Sequence, residues 1–577
     1  MSTPMSTLRV GNCSGFYGDR LSAMREMLTG GGLDVLTGDY LAELTMLILG
    51  RDQLRDPTSG YARTFLRQAE DCLGLALERG VRIVANAGGV NPAGLAARLG
   101  EVARGLGLSP VVAFVEGDDV LDRVDELGLP GKPLTANVYL GAFGIAAALR
   151  EGADVVVTGR VTDASLVVGP AIARFGWGPT SYDELAGAVV AGHVLECGTQ
   201  ATGGNFSGFV ADPVPLGFPL AEIAADGSSV ITKHDGTGGL VSVDTVTAQL
   251  FYEVQSPTYL GPDVSTHLDT IEVAAAGSDR VRISGVRGSA PPATLKVSVN
   301  EPGGFRNTAE FVLVGLDIEE KAAWVRTQVV AALAADPPAS VEWELARTDR
   351  ADADTEEAAS CRLRLTVRDP DERRVGKAFT APLVELALAS YPGFTLTAPP
   401  APATPYGVHR PAYVDRARVT ERVVVADRAI PIPADPSLIQ QKSPRVAAEV
   451  TGRPASRTGA PAGPTRRMPL GRLVHARSGD KGGDANVGLW AREAATRPDR
   501  VAWLLSYLTV ERVRTLVPEA ADLHVEVYPL ANLGGVNVVI HGLLGEGVAA
   551  SSRFDPQAKA LGEWVRSRHV DVPEVLL

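Results

Sequence analysis

Cysteine is scarce in this chain, and the features that mark secreted or membrane proteins are missing. Four cysteines are scattered over 577 residues, and none belongs to a C-x-x-C pair. This usage predicts reduced thiols in a cytoplasmic protein and not a disulfide framework. The start of the chain lacks a basic segment followed by an apolar core, and no apolar run approaches the roughly 18 residues of a membrane span. We therefore expect no signal peptide and no membrane partner.

Positive charge is also limited. The 55 Lys and Arg residues are outnumbered by 68 Asp and Glu residues, which leaves a net charge of −13. Because nucleic acid and anionic lipid are themselves negative, neither is expected as a partner. An anionic substrate would have to be held by locally placed cations or by helix N-termini.

Several motifs that carry well-known chemistry are absent as well. The chain has no Walker A loop, no G-x-G-x-x-G fingerprint, no G-x-S-x-G elbow and no H-E-x-x-H. These absences disfavour a P-loop nucleotide site, a nicotinamide-dependent enzyme, a serine hydrolase and a zinc protease.

The residues that are present are typical of a soluble globular protein with several domains. Hydrophobic residues make up 45% of the chain and charged residues 21%, which are ordinary proportions for that class. A length of 577 residues exceeds what one core accommodates, so we expect two to four domains.

Residues 1–235 alternate short apolar strands with amphipathic helices. The strand candidates are Leu8–Asn12, Leu33–Thr37, Arg82–Ala85, Val111–Val115 and Asp154–Thr158, and the helix candidates are Tyr61–Gly80, Pro92–Leu106 and Tyr139–Arg150. Continuous Val and Ile runs are typical of buried parallel strands. The alternation predicts an α/β, Rossmann-like domain with a doubly wound parallel sheet.

Three further regions follow. Residues 236–452 predict an α+β domain, because from Ala309 the order is β-α-β-β-α and then a short strand at Thr395–Thr397, the order of a split βαβ, ferredoxin-like unit. Residues 453–469 combine prolines and small residues without apolar periodicity and predict a linker. Residues 470–577 predict a small α+β C-terminal domain.

The densest group of polar side chains lies at 474–490. Ser478, Asp480, Lys481 and Asn486 are interleaved with glycines directly after an apolar run. Glycine allows tight curvature and lets main-chain N–H groups approach a ligand. A structural turn between a strand and a helix is one interpretation. A polar site is the other, and the density of both charges favours it.

A second glycine-rich junction, Gly11–Asp19, follows the first predicted strand and opens a helix. Asn12, Ser14 and Gly15 are candidates for binding an anion such as a phosphate, because main-chain amides and the helix dipole favour negative charge there. A purely structural βα turn explains the same pattern.

The loop 85–92 also follows a strand and therefore belongs at the carboxyl edge of the sheet, where ligands bind in doubly wound folds. Asn86, Gly88 and Gly89 are candidate substrate-binding residues there. Asn91 is another candidate, although it also suits a helix N-cap with Pro92 at the first helical position.

The loop 158–165 belongs at the same edge. Arg160 is suited to bind a carboxylate or phosphate, and Asp163 is suited either to transfer a proton or to cap a helix. Taken together, these polar, glycine-rich loops on one rim favour a site.

The segment 193–205 adds titratable groups. His193, Glu196 and Cys197 would share one helix face at i, i+3 and i+4, and Thr199 and Asn205 follow as candidate binding residues. Metal ligation by this trio is conceivable, but the set of ligands is incomplete, so we predict no metal. A polar acid–base cluster and the satisfaction of a helix end remain open.

His234 and Asp235 complete the candidates. The imidazole of His234 titrates near neutrality, but neighbours on a strand point to opposite faces, so a direct dyad does not follow. The candidate proton-transfer residues are thus Asp163, Glu196, His234, Asp235, Asp480 and Lys481.

These blocks, in this order, resemble the acyclic terpene utilisation (AtuA-type) family over nearly the whole chain. The resemblance is carried by residues 11–19, 39–43, 86–92, 158–163 and 195–205. Residues 478–486 resemble the ferredoxin-fold-like domain of that family, here fused at the C-terminal end.

The resemblance implies a role in the breakdown of acyclic isoprenoids such as citronellol and geraniol through branched acyl-CoA intermediates. It implies cleavage or hydration of a 3-hydroxy-3-methylglutaryl-type thioester and supplies no catalytic residues. We hypothesise an acyl-CoA lyase or hydratase that needs no cofactor besides the CoA moiety of its substrate. The CoA phosphates would lie on the Gly11–Asp19 junction or near Arg160, and amides of a glycine pair would hold the thioester oxygen.

Two alternatives remain open. The chain could be a non-catalytic accessory subunit that binds an acyl-CoA or a nucleotide and has a small separate protein as its partner, or it could be a metal-assisted lyase or hydrolase. A homo-oligomer is expected, since closed symmetric assemblies are common among soluble enzymes. The enzyme hypothesis requires that segments 158–163, 193–205 and 478–486 meet in one place.

Overall fold

The computed structural model describes residues 7–209, 215–433 and 463–577. The chain divides into two compact units. Unit 1 consists of residues 1–300, 409–548 and 555–577, and unit 2 of residues 301–408 and 549–554. These units do not follow the sequence-predicted boundaries at 235 and 452, because strands from well beyond residue 235 join the first sheet.

The elements are numbered along the described residues. The α-helices are α1 Ala23–Gly30, α2 Glu43–Arg55, α3 Arg63–Arg79, α4 Pro92–Gly105, α5 Val124–Leu127, α6 Phe143–Arg150, α7 Ser165–Phe175, α8 Tyr182–Glu196, α9 Val243–Leu250, α10 Ile318–Leu333, α11 Glu372–Val375, α12 Lys377–Glu385, α13 Pro498–Tyr507, α14 Val510–Leu516 and α15 Leu561–Ser567. The strands are β1 Leu8–Asn12, β2 Val35–Gly38, β3 Arg82–Ala85, β4 Val112–Glu116, β5 Thr135–Val138, β6 Val155–Thr158, β7 Pro219–Ile223, β8 Ser229–Lys233, β9 Thr258–Leu260, β10 Ser265–His267, β11 Glu272–Gly277, β12 Arg280–Ser284, β13 Arg287–Ser289, β14 Thr294–Val314, β15 Ser340–Ala346, β16 Ser360–Asp369, β17 Thr395–Leu396, β18 Thr404–Asp415, β19 Glu421–Val425, β20 Arg428–Ile432, β21 Thr465–Pro469, β22 Val474–Lys481, β23 Asp484–Ala491, β24 Val525–Leu530, β25 Gly535–Ile540 and β26 His569–Pro573.

The large sheet of unit 1 is mixed. Its strand order is β11-β12-β8-β7-β1-β2-β3-β6-β4-β19-β20. The neighbours β1, β2, β3, β6 and β4 run parallel, and the strands added at both edges run antiparallel. The α/β class is as predicted, but the sheet is not purely parallel, and its doubly wound form stays a prediction.

The parallel strands formed where the apolar runs predicted them. All five predicted strands are present, with bounds shifted by at most two residues. The strand β6 is buried along its whole length, as continuous Val runs require. Helix α8 is likewise buried from Leu185 to Glu196, so it runs through the core and carries His193 and Glu196 into it.

The C-terminal part of unit 1 corrects one prediction. The Gly/Asp stretch is not a loop between a strand and a helix, because β22 and β23 pair antiparallel around a two-residue turn at 482–483. Gly482 has φ +67°, a conformation that suits glycine in a tight hairpin turn. The four-stranded sheet has the order β22-β23-β25-β24, and β21 pairs with β26.

Unit 2 contains a four-stranded antiparallel arrangement. Residues 305–314 of β14 pair with β16, β16 pairs with β15, and β17 pairs on the other side of β14. Helix α10 follows β14, and α11 and α12 follow β16. A third strand inserted between the first two is the arrangement of a split βαβ unit.

The predicted linker at 453–469 falls partly outside the described residues, which resume at 463. Residues 465–469 form strand β21, so a linker would have to end before Thr465. Within the part of the chain that is described, no helix is long and apolar enough to cross a membrane.

Candidate active site

Side chains from many segments of unit 1 meet in one group, here called the central polar cluster. Its members are Asp39, Glu43, Tyr139, Arg160, Asp163, His193, Glu196, Glu253, Tyr259, Lys296, His409, Asp480, Lys481 and Lys559. The ammonium of Lys481 interacts with Glu43, Asp163, Glu196 and Glu253. The structure therefore brings segments 158–163, 193–197 and 480–481 together.

Arg160 anchors one side of the cluster. It is the second residue after the end of β6, and it is 3% exposed. Its Nη1 donates to the carbonyl of Leu41 at 3.1 Å and to Asp163 Oδ1 at 3.0 Å. Burial raises the pKa of Asp163, and the charges of Arg160 and Lys481 oppose that rise. The carboxylate that Arg160 binds is thus one of the protein itself.

Tyr139 links Arg160 to a second carboxylate. The Arg160 guanidinium lies 4.3 Å from the centre of the Tyr139 ring, a cation–π contact. The Tyr139 hydroxyl donates to Glu43 Oε1 at 3.0 Å, and Lys296 Nζ lies 4.0 Å from the same oxygen. Burial acts to raise the pKa of Glu43, but Lys296, His409 and Arg160 bring it well below its usual value. Glu43 is therefore ionised.

Burial disfavours the charged forms of Lys296 and His409. Burial lowers the pKa of Lys296, and Glu43 opposes this. Burial, again opposed by Glu43, lowers the pKa of His409 to about 4. His409 is therefore a neutral imidazole at neutral pH.

Asp39 is buried and held by an amide. Asn86 Nδ2 donates to Asp39 Oδ1 at 2.6 Å, and Asn86 Oδ1 accepts from the amide of Tyr40 at 2.7 Å. Burial, together with the charge of Asp163, raises the pKa of Asp39 well above its usual value. Asn86, predicted to bind substrate, instead orients a carboxyl group.

His193 and Glu196 form a buried dyad at the end of α8. His193 Nδ1 lies 2.9 Å from Glu196 Oε1, and the His193 ring lies 5.3 Å from the Tyr259 ring. Burial acts to lower the pKa of His193, but the Glu196 charge and hydrogen bond raise it overall. Burial raises the pKa of Glu196 against the effect of His193. An imidazole held at Nδ1 by a carboxylate is suited to move a proton at Nε2.

The C-terminal domain supplies the cations next to this dyad. Lys481 Nζ lies 3.9 Å from Glu253 Oε2, and Lys559 Nζ lies 3.5 Å from Glu253 Oε1 and 3.6 Å from Asp480 Oδ1. Burial acts to raise the pKa of Glu253, yet the two lysines lower it. Burial and Glu253 raise the pKa of Asp480 to about 7, against the effect of Lys559. Asp480 can therefore exchange a proton near neutrality.

Two predicted binding residues hold these groups in place. Glu253 has φ +57°, a left-handed conformation that is strained for glutamate. Asn486 fixes that turn, because its Oδ1 accepts from the Glu253 amide at 2.8 Å and its Nδ2 donates to the Phe251 carbonyl at 3.0 Å. Ser478 Oγ donates to the Lys559 carbonyl at 3.3 Å. Asn486 and Ser478 thus position Glu253 and Lys559.

The Gly11–Asp19 junction closes on itself. Gly15 N donates to Asp19 Oδ2 at 2.9 Å, and Ser14 Oγ donates to the Phe16 carbonyl at 3.1 Å. Helix α1 starts only at Ala23, so it does not open directly from the junction as predicted. The Gly15 amide is already taken by a carboxylate, and the expected phosphate position there has no geometric support.

The junction supports the dyad instead. Asn12 Nδ2 donates to the carbonyl of Leu195 at 2.6 Å and to that of Glu196 at 3.3 Å. A Cβ on Gly15 would lie 2.8 Å from the Cys197 carbonyl carbon, so this close approach requires glycine. Asn12 and Gly15 therefore fix the end of α8.

Other predicted binding residues have backbone roles. Asn91 is the N-cap of α4, accepting from Gly94 N at 2.9 Å, with Pro92 at the first position, as the sequence predicted. A Cβ on Gly88 would lie 2.5 Å from the Thr158 carbonyl, and Gly89 has φ +57°. These glycines serve close packing and a turn.

Thr199 and Asn205 also lie in backbone turns. The Thr199 carbonyl accepts from the Thr202 hydroxyl at 3.0 Å, and Thr199 belongs to a short 3₁₀ helix. Asn205 is exposed and has φ +57°, a conformation that asparagine tolerates. Their described contacts give neither residue a place in the central polar cluster.

His234 and Asp235 lie in another environment. His234 Nε2 lies 3.0 Å from the Met27 carbonyl, and its ring packs beside Gly30 and Gly31. The charged groups that affect the pKa of His234 are Arg9 and Asp235, and burial lowers it. The structure does not bring this pair to the central polar cluster.

Several buried polar atoms of the cluster lack a hydrogen-bond partner among the described residues. They are Arg160 Nε, His193 Nε2, Glu196 Oε2 and both ring nitrogens of His409. Buried polar atoms are normally paired, because an unpaired one costs about 1–3 kcal/mol. Their concentration in this one cluster indicates a place for a polar ligand.

Sequence reasoning missed eight members of the cluster: Asp39, Glu43, Tyr139, Glu253, Tyr259, Lys296, His409 and Lys559. One signal was available: lysine occurs only eight times in the chain, and Lys296, Lys481 and Lys559 are three of those eight. Asp39 and Glu43 lie in block 39–43, which carried the family resemblance but was assigned no role. Glu253 offered no sequence signal, since only its contacts with the hairpin reveal it.

The metal alternative for His193, Glu196 and Cys197 finds no support. Over residues 7–209, 215–433 and 463–577, only His524, Glu526 and His541 place three ligand atoms within 4.8 Å of one another. Burial raises the pKa of the Cys197 thiol well above its usual value, which disfavours the thiolate that a metal requires.

Comparison with known proteins identifies the family of the chain. Residues 8–425 match the family described as "Acyclic terpene utilisation family protein AtuA". The chain belongs to the AtuA family. Residues 468–571 match the "AtuA ferredoxin-like domain", so the predicted C-terminal domain of this AtuA protein is confirmed. No curated protein is similar to the chain. Lys481 and Lys559 come from the ferredoxin-like domain, whereas the dyad comes from the larger match.

Proposed function

We propose that this AtuA protein is an acid–base enzyme, a lyase or hydratase, that acts on branched, isoprenoid-type hydroxyacyl-CoA or enoyl-CoA thioesters. The observation that carries the proposal is the buried dyad of His193 and Glu196, which lies beside Lys481. In this dyad, His193 Nε2 has no hydrogen-bond partner among the described residues. The family supports a role in acyclic terpene utilisation. This geometry favours catalysis by proton transfer over catalysis by a nucleophile.

The groups present suit both reactions. In hydration, His193 takes a proton from water as its oxygen adds to the β-carbon, and an acid of the cluster protonates the α-carbon. In cleavage, His193 takes the proton of the 3-hydroxyl, the bond between C2 and C3 breaks, and the resulting enolate is protonated at carbon. The ammonium of Lys481 stabilises the enolate oxygen.

Asp480 is the proposed proton donor. Its pKa is raised to about 7 by burial and by Glu253, so a substantial fraction is protonated at neutral pH. Burial also raises the pKa of Asp163. Because Asp163 accepts a hydrogen bond from Arg160, its proposed role is to orient Arg160. His234 and Asp235 have no part in this proposal.

The binding arrangement also differs from the first expectation. Arg160 is buried and paired, and the Gly15 amide is occupied by Asp19. Neither presents a free donor at an open surface, so we propose that the central polar cluster binds the acyl end of the substrate and that the CoA phosphates lie elsewhere.

The test is turnover by the purified full chain. A panel of 3-hydroxyacyl-CoA, branched 3-hydroxy-3-methylglutaryl-type and enoyl-CoA esters is incubated with the protein, and products are identified by mass spectrometry. We expect water addition or loss, or cleavage to two smaller products, with Glu196→Gln strongly impaired. Binding without turnover of any ester would support an accessory subunit, and absence of both binding and turnover would contradict the proposal.

A further inference from the structure

Another group of polar side chains, all of types that can bind a metal ion, lies on the C-terminal sheet and apart from the central polar cluster. His524 directly precedes β24, Glu526 lies on β24, and His541 directly follows β25. Because Val525 pairs with Ile540 and His541 N donates to the His524 carbonyl at 3.0 Å, the two histidines lie opposite each other. Glu526 is two residues from His524, so it projects from the same face of the strand.

The spacing of the ligand atoms fits one ion. His541 Nε2 lies 2.7 Å from Glu526 Oε2, and His524 Nε2 lies 3.9 Å from Glu526 Oε1. Two atoms bound to one Zn²⁺ at about 2.0–2.2 Å and a tetrahedral angle are about 3.4 Å apart. The two measured separations bracket this value, so small side-chain rotations would complete the geometry.

A fourth residue sets the orientation of His541. Asp484 Oδ2 lies 3.0 Å from His541 Nδ1, while Asp484 Oδ1 accepts from Gly542 N at 2.9 Å. Without a metal, both ring nitrogens of His541 donate to carboxylates, Nδ1 to Asp484 and Nε2 to Glu526. A bound cation would replace the Nε2 proton, while Nδ1–H stays bonded to Asp484. Metal-binding histidines are commonly held by a carboxylate in this way.

We propose that His524, Glu526 and His541 bind one divalent transition-metal ion, with Zn²⁺ as the best match, and that Asp484 orients His541. Two imidazoles and one carboxylate are a donor set that Zn²⁺ prefers, and it leaves a fourth position for water. The side chain of His524 is 72% exposed, so the ion can enter from solvent. The bound ion would join β24 to β25, next to the hairpin that carries Asp480 and Lys481.

The test measures metal binding by the full chain. Chelator-treated protein is titrated with ZnCl₂ by calorimetry, and Co²⁺ is added in parallel because a four-coordinate Co²⁺ site absorbs visible light. We expect one Zn²⁺ per chain, and a Kd raised at least about 100-fold by His524→Ala or His541→Ala. Asp484→Asn should raise the Kd about 10–100-fold, since it removes only the orienting carboxylate.

The matched control is His569→Ala, which removes an exposed histidine from β26 in the same domain. It should leave the Kd unchanged, and Zn²⁺ should raise the Tm of the wild type and of this control but not of His524→Ala. Since His524 is exposed, its loss leaves folding intact, as circular dichroism can verify. Equal Zn²⁺ affinity in the wild type, His524→Ala and His541→Ala would overturn the proposal, as would the absence of Zn²⁺ binding by the wild type.

Discussion

The two glycine-rich segments of unit 1 that sequence analysis singled out most clearly behave differently. At the junction 11–19, Ser14 and Gly15 bond to neighbours in the same loop, as when Asp19 accepts from Gly15 N, and Asn12 Nδ2 donates to backbone carbonyls at the end of α8. At the hairpin 478–486, they contact residues more than 70 positions away, as when Lys481 approaches Glu253 and Asp480 approaches Lys559. Each segment contains three glycines, but the hairpin carries three charged residues and the junction only one.

This difference shows that glycine density does not identify a site. A loop whose polar atoms satisfy one another is a finished structural element, since buried polar groups need partners. Around the hairpin, charges from distant segments converge, and His193 and Glu196 retain atoms with no partner among the described residues. Convergence with incomplete pairing is the better indicator of a ligand site.

The largest expected effect tests the dyad against the other candidate histidine. His193→Ala should lower kcat about 10²–10⁴-fold, because it removes the proposed base. His234 lies against α1, outside the cluster, so His234→Asn should leave kcat within about threefold of the wild-type value. Such a change corresponds to less than about 1 kcal/mol in the activation free energy. Both are measured on the thioester that the product screen identifies. Equal losses in the two variants would erase the distinction between the two regions.

The next effect is on stability. Arg160→Met leaves Asp163, whose side chain is 26% exposed, without its hydrogen-bonded partner, and we expect the free energy of unfolding to fall by about 2 kcal/mol. Urea unfolding measures this change. The double variant Arg160→Met/Asp163→Leu should recover most of the loss, because no uncompensated charge remains.

A surface pair is the control for that experiment. Arg98 and Glu101 are an ion pair on α4 with both side chains nearly half exposed, and Arg98→Met should cost less than about 0.5 kcal/mol. If Arg160→Met is equally mild, Arg160 is not the buried anchor of the cluster.

The pH dependence of stability gives a smaller effect for each pH unit. Asp480 has a folded-state pKa of about 7, above the unfolded value of about 4. Its protonated form therefore stabilises the fold at low pH, and this contribution is lost as the pH rises from about 4 to 7. Asp480→Asn removes the loss, so its stability relative to the wild type should rise over that range by on the order of 4 kcal/mol, or about 1.4 kcal/mol per pH unit.

Urea unfolding at pH 5, 6, 7 and 8 follows this trend, which should level off above pH 7. Asp499→Asn is the control, because hydrogen bonding by Arg497 lowers the pKa of that exposed carboxylate. It should show no gain in relative stability with rising pH. A flat difference between Asp480→Asn and the wild type would contradict the raised pKa.

The smallest effect concerns the closed junction. Asp19→Ala removes the acceptor of Gly15 N and should cost about 1 kcal/mol of stability, with KM for the CoA ester unchanged. The control is Asp56→Ala. It removes a carboxylate that likewise accepts from a backbone amide, that of Thr58, but in an exposed turn. A tenfold fall in KM for Asp19→Ala would show that the junction binds the CoA phosphates after all.

Much of the local structure was predictable. The five parallel strands, the N-cap at Asn91 and the face shared by His193 and Glu196 all follow from short-range patterns. The hairpin at 474–491 was harder to predict, because its glycines are typical of a loop. Only the pairing of β22 with β23, and of β23 with β25, shows that the segment forms two strands. Among the predicted site residues, the structure brings Asp163, Glu196, Asp480 and Lys481 into one cluster and leaves His234 and Asp235 outside it, and their catalytic roles stay predictions.

Short-range patterns in the chain were sufficient to predict the α/β class and most strand positions, because hydrophobic periodicity and turn residues act over a few neighbours. The AtuA family followed from the resemblance of whole sequence blocks and is shown by the family match. Short-range patterns could not show that Glu43, Glu253, Lys296 and Lys559 belong to the same polar cluster as His193. Those contacts join positions hundreds of residues apart, and their proximity is created only by packing of the sheets. Burial in that packed interior also shifts the pKa values of the cluster, since desolvation depends on the complete fold and not on adjacent residues.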